Sequence, residues 1–172
     1  MHRMTVDEFK ESAKMPLIVV LDDVRSLHNV GSVFRSCDAF RAEAVYLCGI
    51  TATPPGAEIH KTALGAEDSM AWKYFDTAAD AVSELHRNGY EVIAVEQCEG
   101  STKLPDMKVE GGKKYAVILG NEVKGVHQEV VDMSDGCLEI PQYGTKHSLN
   151  VSVTAGIVVW EFARQMFPAT AP

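Results

Sequence analysis

Short runs of consecutive apolar residues constrain the fold of this chain more than any other feature of its sequence. Three predicted strands contain such runs, at residues 17–21 (Leu-Ile-Val-Val-Leu), 91–95 (Glu-Val-Ile-Ala-Val) and 115–119 (Tyr-Ala-Val-Ile-Leu). A strand that is apolar on both sides is buried on both faces, as in a parallel sheet that helices cover. Segments with helical periodicity, such as residues 29–40 and 77–88, separate the runs. This alternation predicts an α/β fold with a mostly parallel sheet and helices on both faces.

The segment from residue 139 to residue 160 begins as a short strand and ends as a long apolar helix. Pro141 and Gly144 stop the strand, and a polar loop leads to a helix that begins near Ser148. Either Ser148 or Asn150 could cap this helix with a side-chain oxygen. Because the free N–H groups of a helix start carry positive partial charge, the loop suits a small polar or anionic ligand.

That helix carries two apolar stripes instead of one. The first contains Leu149, Val153, Gly156, Ile157 and Trp160, and the second contains Val151, Ala155, Val158 and Phe162. A helix on the surface of a monomer buries only one stripe. We therefore expect one stripe to pack against another subunit, and the alternative is a central helix that its own domain buries all round.

The length of 172 residues predicts one domain over residues 1–172, in which residues 1–15 form a short N-terminal helical extension. Thr5 and Glu8 have the spacing of a capping box in that extension. The histidines and cysteines lack the spacing of metal ligands, so no metal is expected. Without a C-x-x-C pair, a signal peptide or an 18-residue apolar run, the chain is predicted to be cytoplasmic, outside the membrane and free of disulfides. The four cysteines are Cys37, Cys48, Cys98 and Cys137.

The charge balance argues against an ordinary nucleic-acid binder. Lys and Arg number 16 and Asp and Glu number 24, which gives a formal net charge of −8. Proteins that bind RNA are more often basic, because neutralising phosphates supplies much of their affinity. The local distribution weakens this objection, since several basic residues lie in or beside the segments discussed below. They are Arg25, His28, Arg35, Arg41, Lys61, Lys124, Lys146 and His147.

Three polar loops, at residues 96–100, 120–125 and 141–147, each follow a predicted strand. Ligands of parallel sheets bind beyond the carboxyl ends of the strands, so these loops are the candidate site. The sequence contains no G-x-G-x-x-G after a strand, no P-loop, no H-E-x-x-H and no G-x-S-x-G. Dinucleotide, nucleoside triphosphate, zinc-protease and hydrolase sites of those types are therefore unlikely candidates on sequence grounds.

Three segments resemble, in this order, motifs 1, 2 and 3 of the SPOUT methyltransferases. They are residues 29–35 (Asn-Val-Gly-Ser-Val-Phe-Arg), 119–125 (Leu-Gly-Asn-Glu-Val-Lys-Gly) and 140–153 (Ile-Pro-Gln-Tyr-Gly-Thr-Lys-His-Ser-Leu-Asn-Val-Ser-Val). The branch that they resemble is the TrmH (SpoU) family of RNA ribose 2′-O-methyltransferases. The resemblance runs from about residue 17 to about residue 162, and the third segment is its most specific part.

The resemblance implies a C-terminal trefoil knot, an exception to the rule that connections do not thread loops. It also implies that S-adenosylmethionine binds in the knot, that the substrate is tRNA or rRNA, and that a homodimer packs through the knot helices. The expected cofactor-binding residues are Glu96, Gly120, Ile140, Ser148 and Leu149. The expected catalytic residues are Arg35, Asn29, Glu122 and Asn150.

The expected reaction moves a methyl group from a sulfonium to a weakly acidic ribose hydroxyl. The enzyme must orient that hydroxyl and help to remove its proton. Arginine is a poor base, so we expect Arg35 to position the hydroxyl and the adjacent phosphate bidentately. The proton would pass to phosphate, to water or to a transiently neutral guanidine, while Glu122 and Asn29 hold Arg35 and the ribose.

Two departures from the family pattern concern the substrate. Gln142 stands where an apolar Met is common, and the sequence shows no long basic terminal extension of the kind that grips tRNA in some members. Two alternative functions follow. One is a knotted protein that binds cofactor or RNA without methylating RNA, and the other is a methyltransferase with a non-RNA substrate.

Overall fold

A single seven-stranded sheet forms the centre of the molecule. The computed structural model describes residues 3–167. Its strands are β1 (Met15–Asp22), β2 (Ala42–Cys48), β3 (Trp72–Phe75), β4 (Tyr90–Val95), β5 (Thr102–Lys103), β6 (Lys114–Leu119) and β7 (Gly136–Glu139). They lie in the order β3-β2-β1-β6-β4-β7-β5, and every pair is parallel. The prediction of a mostly parallel α/β sheet is confirmed.

Seven α-helices accompany the strands within residues 3–167. They are α1 (Val6–Glu11), α2 (Leu27–Ala39), α3 (Ala57–Ala63), α4 (Ala66–Ser69), α5 (Ala78–Arg87), α6 (Gln128–Met133) and α7 (Val151–Met166). Five lie between strands, whereas α1 precedes β1 and α7 follows β7. The predicted capping box of α1 is present, since Thr5 and Glu8 bond each other's backbone N–H groups. None of these helices, within residues 3–167, is long and apolar enough to cross a membrane.

The two faces of β1 show why its sequence is apolar as far as Leu21. Leu17, Val19 and Leu21 belong to the core that α2 and α7 cover. Ile18 and Val20 belong to a second core, which α5 and α6 cover. Successive side chains of a strand point to opposite faces. When helices cover both faces, every side chain is buried and apolar residues are favoured at each position.

A glycine lets α3 pack closely on α2. A Cβ at Gly31 would lie 2.1 Å from Oγ1 of Thr62 and 2.2 Å from the carbonyl oxygen of Ile59. No side chain fits at these distances, so the third residue of the Asn29-Val-Gly31 sequence fixes the position of α3 beside α2.

The two stripes of α7 have different surroundings. Val151, Ala155, Val158 and Phe162 are buried, whereas Val153 and Trp160 are 50% and 52% exposed. The alternative of a helix that its own domain buries all round is therefore wrong for this chain. The other stripe is only partly covered within residues 3–167, since Val153 and Trp160 are exposed whereas Ile157 packs against the core.

Several short elements were not predicted from the sequence. The strand expected to begin at Glu139 is instead β7, which spans Gly136–Glu139, because residues 136–138 pair with residues 93–95 of β4 and Glu139 pairs with Lys103 of β5. Helices α3, α4 and α6 and strand β5 have seven residues or fewer. Elements of this length are too short to show a hydrophobic periodicity that predicts a helix or a strand.

The prediction of four reduced thiols is wrong for one pair. Cys98 and Cys137 form a disulfide, while Cys37 and Cys48 are free and buried. Strands β4 and β7 are neighbours in the sheet, with Ala94 opposite Cys137. The chain beyond β4 therefore brings Cys98 to Cys137 although 39 positions separate them in sequence.

Candidate functional site

A cavity of about 570 Å³ opens at the carboxyl ends of β4, β6 and β7. Its walls come from the loops that follow these strands and from the start of α7. All five residues predicted to bind a cofactor line it, namely Glu96, Gly120, Ile140, Ser148 and Leu149. The volume lies within the range of about 300–1,000 Å³ that is typical of small-molecule sites.

Gly120 allows the backbone to close one wall of this cavity. A Cβ at this position would lie 2.0 Å from the carbonyl carbon of Gly125 and 2.1 Å from the nitrogen of Val126. The same Val126 N–H donates to the Glu96 carboxylate at 3.1 Å. The loops after β4 and β6 are thus joined at the cavity by a charge-assisted hydrogen bond.

Glu122 holds the start of α2 against the loop after β6. Its carboxylate accepts hydrogen bonds from the backbone N–H of Arg25 at 3.0 Å, from that of Ser26 at 2.9 Å and from Nδ2 of Asn29 at 3.1 Å. Partial burial acts to raise the pKa of Glu122, but these donors outweigh it, and the net pKa is lowered. Glu122 is therefore a carboxylate at neutral pH.

Asn150 connects this network to α7. Its Nδ2 donates to Oδ1 of Asn29 at 3.2 Å, and its own Oδ1 accepts from the N–H groups of Ser152 and Val153 at 2.9 and 3.3 Å. Of the two predicted caps, Asn150 is the one that caps α7. The structure therefore brings Asn29, Glu122 and Asn150 together, and Glu122 and Asn150 also line the cavity.

Arg35 lies apart from these three residues. It is exposed on α2 and lines a separate groove of about 430 Å³ together with Ser32, Ser36, Ala39, Phe40, Lys61 and Thr62. No residue of this groove also lines the larger cavity. Within residues 3–167, Arg35 has no hydrogen-bond or ion-pair partner. Sequence reasoning did not connect Lys61 with Arg35, because only the packing of α3 on α2 makes them neighbours.

The loop between β7 and α7 is exposed from Gln142 to Asn150. Apart from the hydrogen bonds of Asn150, one hydrogen bond within residues 3–167 anchors it, from Nε2 of Gln97 to the carbonyl oxygen of His147 at 3.4 Å. Gln97 and Thr154 also line the cavity, and sequence reasoning missed both. The position of Gln97 directly after Glu96 was the available signal.

Among residues 3–167, one group of three side chains has the composition of a metal site, namely Asp22, Asp23 and His127. None of them lines the cavity. The two ring nitrogens of His127 face different carboxylates, Nδ1 lying 2.9 Å from Asp22 and Nε2 lying 3.5 Å from Asp23. The hydrogen bond and charge of Asp22 raise the pKa of His127. The ring of His127 therefore lies between the side chains of Asp22 and Asp23.

Comparison with known proteins identifies the family of this chain. The model of the SpoU rRNA Methylase family matches residues 16–160. A tRNA (guanosine(18)-2'-O)-methyltransferase of Aquifex aeolicus is 31% identical over 161 residues, which are 92% of this chain and 74% of that protein. The 23S rRNA (guanosine-2'-O-)-methyltransferase RlmB of Nitrosomonas europaea is 32% identical over 164 residues, covering 94% of this chain and 61% of the relative.

Two crystal structures have the same architecture. The A. aeolicus TrmH/SpoU tRNA modifying enzyme superposes with a TM-score of 0.81 at 29% identity, over 93% of this chain and 80% of that one. The AdoMet-bound rRNA methyltransferase from Sinorhizobium meliloti gives a TM-score of 0.83 at 25% identity, over 94% of this chain and 61% of that one. The family match extends from β1 into α7 and includes the whole site. The chain belongs to the SpoU rRNA Methylase family.

Proposed function

We propose that this protein transfers a methyl group from S-adenosylmethionine to the 2′-hydroxyl of a ribose in tRNA or rRNA. The observation that carries the proposal is the bonded set of Asn29, Glu122 and Asn150 at the edge of a nucleoside-sized cavity. The relatives quoted above are named for guanosine 2′-O-methylation, which supports guanosine as the target nucleoside.

The composition of the cavity fits S-adenosylmethionine. Apolar side chains of Leu119, Leu138 and Leu149 line it beside polar groups and the free end of α7. Glu96, Gly120, Ile140, Ser148 and Leu149 would hold the cofactor. When bound, S-adenosylmethionine supplies an electrophilic methyl group on a sulfonium sulfur. A neighbour of this fold is itself an AdoMet-bound rRNA methyltransferase, which supports the same choice of cofactor.

The roles of the polar residues follow from their contacts. Glu122 orders the backbone of Arg25 and Ser26 and fixes the Asn29 amide, and Asn150 bonds the same amide from the other side. We assign Asn29 and Asn150 to orienting the ribose hydroxyl. Arg35 binds that hydroxyl and the adjacent phosphate, and the proton leaves to phosphate, to water or to a transiently neutral guanidine.

We also propose a homodimer that packs through the exposed stripe of α7. Leu149, Val153 and Trp160 are between 38% and 52% exposed. Trp160 contacts Phe40 with ring centroids 5.5 Å apart, and Phe40 lines the Arg35 groove. A second copy on this stripe would therefore contact the groove as well. The separation of Arg35 from the cavity supports a site in which one subunit supplies Arg35 and the other supplies the Asn29 network.

The finer features of the fold are proposals as well. We propose that the segment after β7 threads the connection between β4 and β6 to make a trefoil knot. In support, Gln165 of α7 bonds the carbonyl oxygen of Met107 at 3.0 Å and the N–H of Val109 at 2.8 Å in that connection. We further propose a single SPOUT methyltransferase domain, with residues 1–15 as an extension, in a cytoplasmic protein that uses no metal.

The deciding experiment is transfer of labelled methyl from S-adenosylmethionine to unmodified tRNA and rRNA transcripts, followed by digestion to nucleosides. We expect 2′-O-methylguanosine from the wild type and from Arg87→Ala, which removes an exposed arginine on α5, and none from Arg35→Ala. A methylated base, or RNA left unlabelled by a protein that binds cofactor, would refute the proposal. RNA affinity should also fall steeply with salt, because phosphate contacts release counterions.

The dimer is tested by mixing inactive variants. If the site uses residues of both subunits, Arg35→Ala and Glu122→Ala together restore about a quarter of wild-type activity, since half of the random dimers have one intact site of two. Val153→Glu should give an inactive monomer that stays folded, because Glu is favourable in the first turn of a helix. Failure of the mixture to recover activity would place the site within one subunit.

A further inference from the structure

The Cys98–Cys137 disulfide joins two segments that line the cavity. Glu96 and Gln97 come directly before Cys98, and Leu138 to Ile140 come directly after Cys137. The two Cα atoms are 6.3 Å apart, within the range of about 4.4–6.8 Å that disulfides require. The disulfide therefore connects two segments of the cavity wall, although neither cysteine lines the cavity itself.

Three cavity segments meet at the two residues before Cys98. The N–H of Glu96 donates to the carbonyl oxygen of Leu138 at 3.1 Å, and its carboxylate accepts from Val126 at 3.1 Å. Gln97 holds the loop before α7 through the carbonyl oxygen of His147. The backbone turns back immediately afterwards, since the Ser101 N–H bonds the carbonyl oxygen of Cys98 at 3.1 Å. The bond between Cys98 and Cys137 thus restricts the movement of Glu96 and Gln97, the two residues that bond all three neighbouring segments.

The other two cysteines have surroundings that make them inert. Cys37 and Cys48 are fully buried. Burial, assisted by the charge of Asp38, raises the pKa of Cys37 to about 12, and burial also raises the pKa of Cys48. Thiolate is the form that reacts, so neither residue exchanges readily. Cys98 and Cys137 are only partly buried, so solvent and thiol reagents reach this pair.

We propose that Cys98 and Cys137 are a redox-active pair whose oxidation state sets the affinity of the cavity for S-adenosylmethionine. The oxidised pair is the high-affinity state, because it holds the Glu96–Gln97 wall in its binding position. This inference rests on the proposed function. Disulfides of cytosolic proteins are usually transient and sense redox conditions, which agrees with the proposed location.

The exchange needs a small disulfide such as oxidised glutathione. One cysteine thiolate attacks that disulfide, forms a mixed disulfide and displaces one glutathione thiolate. The second cysteine then attacks the mixed disulfide, forms the Cys98–Cys137 bond and displaces the second glutathione. Two electrons pass from the protein to glutathione, and two thiol protons are released to the glutathione thiolates or to solvent. A dithiol such as dithiothreitol reverses the reaction.

Coupling between two sites is reciprocal. If oxidation tightens cofactor binding by some factor, bound cofactor makes the disulfide harder to reduce by the same factor. We expect a factor of about five or more, the lower end of usual coupling between sites. A crosslink that only stabilised the fold would leave both quantities unchanged under conditions where the protein is folded.

The experiment measures the dissociation constant of S-adenosylmethionine by calorimetry on wild-type protein held oxidised or reduced in glutathione buffers. Intact mass and peptide mapping report the disulfide independently of any activity. The equilibrium constant for reduction is then measured with and without saturating cofactor. Cys98→Ser/Cys137→Ser should bind like the reduced wild type in both buffers, and the control Cys37→Ala/Cys48→Ala should respond like the wild type.

The outcomes separate this inference from the proposed function. A disulfide between Cys98 and Cys137, weaker cofactor binding after its reduction, and a matching shift of the reduction equilibrium would support it. Equal dissociation constants in the two verified redox states would overturn it and leave the proposed function intact. A failure of the two cysteines to pair at any glutathione ratio would also overturn it. A disulfide that forms in a protein unable to bind S-adenosylmethionine in either state would refute the proposed function as well.

Discussion

Asn29 and Arg35 lie on the same helix, α2, yet their surroundings differ. Asn29 is buried and bonded on both sides, to Glu122 and to Asn150. Arg35 is exposed, and no residue of the described chain bonds its guanidinium. The difference teaches that one chain forms the network of Asn29, Glu122 and Asn150 by itself, whereas it provides no partner for Arg35 within residues 3–167. In the proposed function, that partner is the RNA, and a second subunit would bring the two regions together.

The largest effect is expected from Arg35. Arg35→Ala should slow methyl transfer by a factor of about 10²–10⁴, because it removes positioning and proton management together. Cofactor affinity should not change, and the free energy of unfolding should stay within about 0.5 kcal/mol of wild type, since the side chain bonds nothing in the fold. Single-turnover rates, calorimetry and urea unfolding measure the three quantities.

Arg35→Lys sharpens the same test. Lysine keeps the charge but cannot make two parallel hydrogen bonds, so we expect it to recover little of the lost rate. Near-full turnover of this variant would eliminate bidentate positioning as the role of Arg35.

Glu122→Gln should lower the stability of the fold as well as the rate of methyl transfer, with a smaller loss of rate than Arg35→Ala. The amide oxygen cannot replace a carboxylate that three N–H groups share, so we expect a loss of about 1 kcal/mol in unfolding free energy and a rate loss of about 10- to 100-fold. Because the pKa of Glu122 is lowered in the folded state, its contribution is present above the unfolded pKa of about 4.3. It is lost as the pH falls through the lower folded pKa.

Urea titrations near neutral pH and at acidic pH measure that dependence. The stability difference between wild type and Glu122→Gln should shrink in acid. A difference that stayed constant would mean that the carboxylate charge contributes nothing to the network.

Two substitutions at Asn150 separate its contacts. Asn150→Ser keeps a good helix cap but loses the amide that donates to Asn29, so we expect a rate loss of about tenfold with little change in stability. Asn150→Ala loses both contacts and should also cost about 1 kcal/mol of stability. If the two variants had equal rates and equal stabilities, the bond to Asn29 and the cap could not be the separate contributions that the geometry indicates. Rates and thermal unfolding of the pair provide the measurement.

The smallest effect is expected at His127, which lies at the far end of the loop that carries Glu122. Its pKa is raised in the folded protein by the hydrogen bond and charge of Asp22. The stabilisation is therefore fully present below the unfolded pKa of about 6.5 and is lost as the pH rises through the higher folded value. Its size should be about 0.5 kcal/mol, because the ring is largely exposed and solvent screens the pair.

His127→Gln measures this contribution. Urea midpoints of wild type and variant should converge as the pH rises from about 5.5 to about 9. Midpoints that diverged with rising pH would show that neutral histidine is the stabilising form.

The sequence predicted strands β1, β4 and β6 well, because a strand buried on both faces appears in the sequence as a run of apolar residues. The runs at residues 17–21, 91–95 and 115–119 each lie inside a strand, β1, β4 or β6. The end of α5 was also visible in the sequence, since Gly89 follows its last residues with φ of +81°. Elements as short as α6 show no such pattern.

For the site, the sequence predicted the residues but not all of their spatial neighbours. The candidate site residues were identified by resemblance, and seven of the nine line the cavity, whereas Asn29 and Arg35 do not. The pairing of Cys98 with Cys137 and of His127 with Asp22 depends on which strands become neighbours. A list of residues and spacings carries no information about that order.

The hydrogen bond between Asn150 and Asn29 spans 121 positions of the chain. At usual rates of synthesis, of about 5–20 residues per second, the ribosome needs about 6–24 s to deliver the second residue after the first. Glu122 follows Asn29 by 93 positions, so for most of that interval the Asn29 amide and the N–H groups of Arg25 and Ser26 lack their carboxylate partner too. The chain can complete this pocket only after Asn150 has been synthesised, and contacts between such distant positions form slowly. Chaperones that hold the unfinished chain would therefore affect the yield of active protein more than the yield of its first strands.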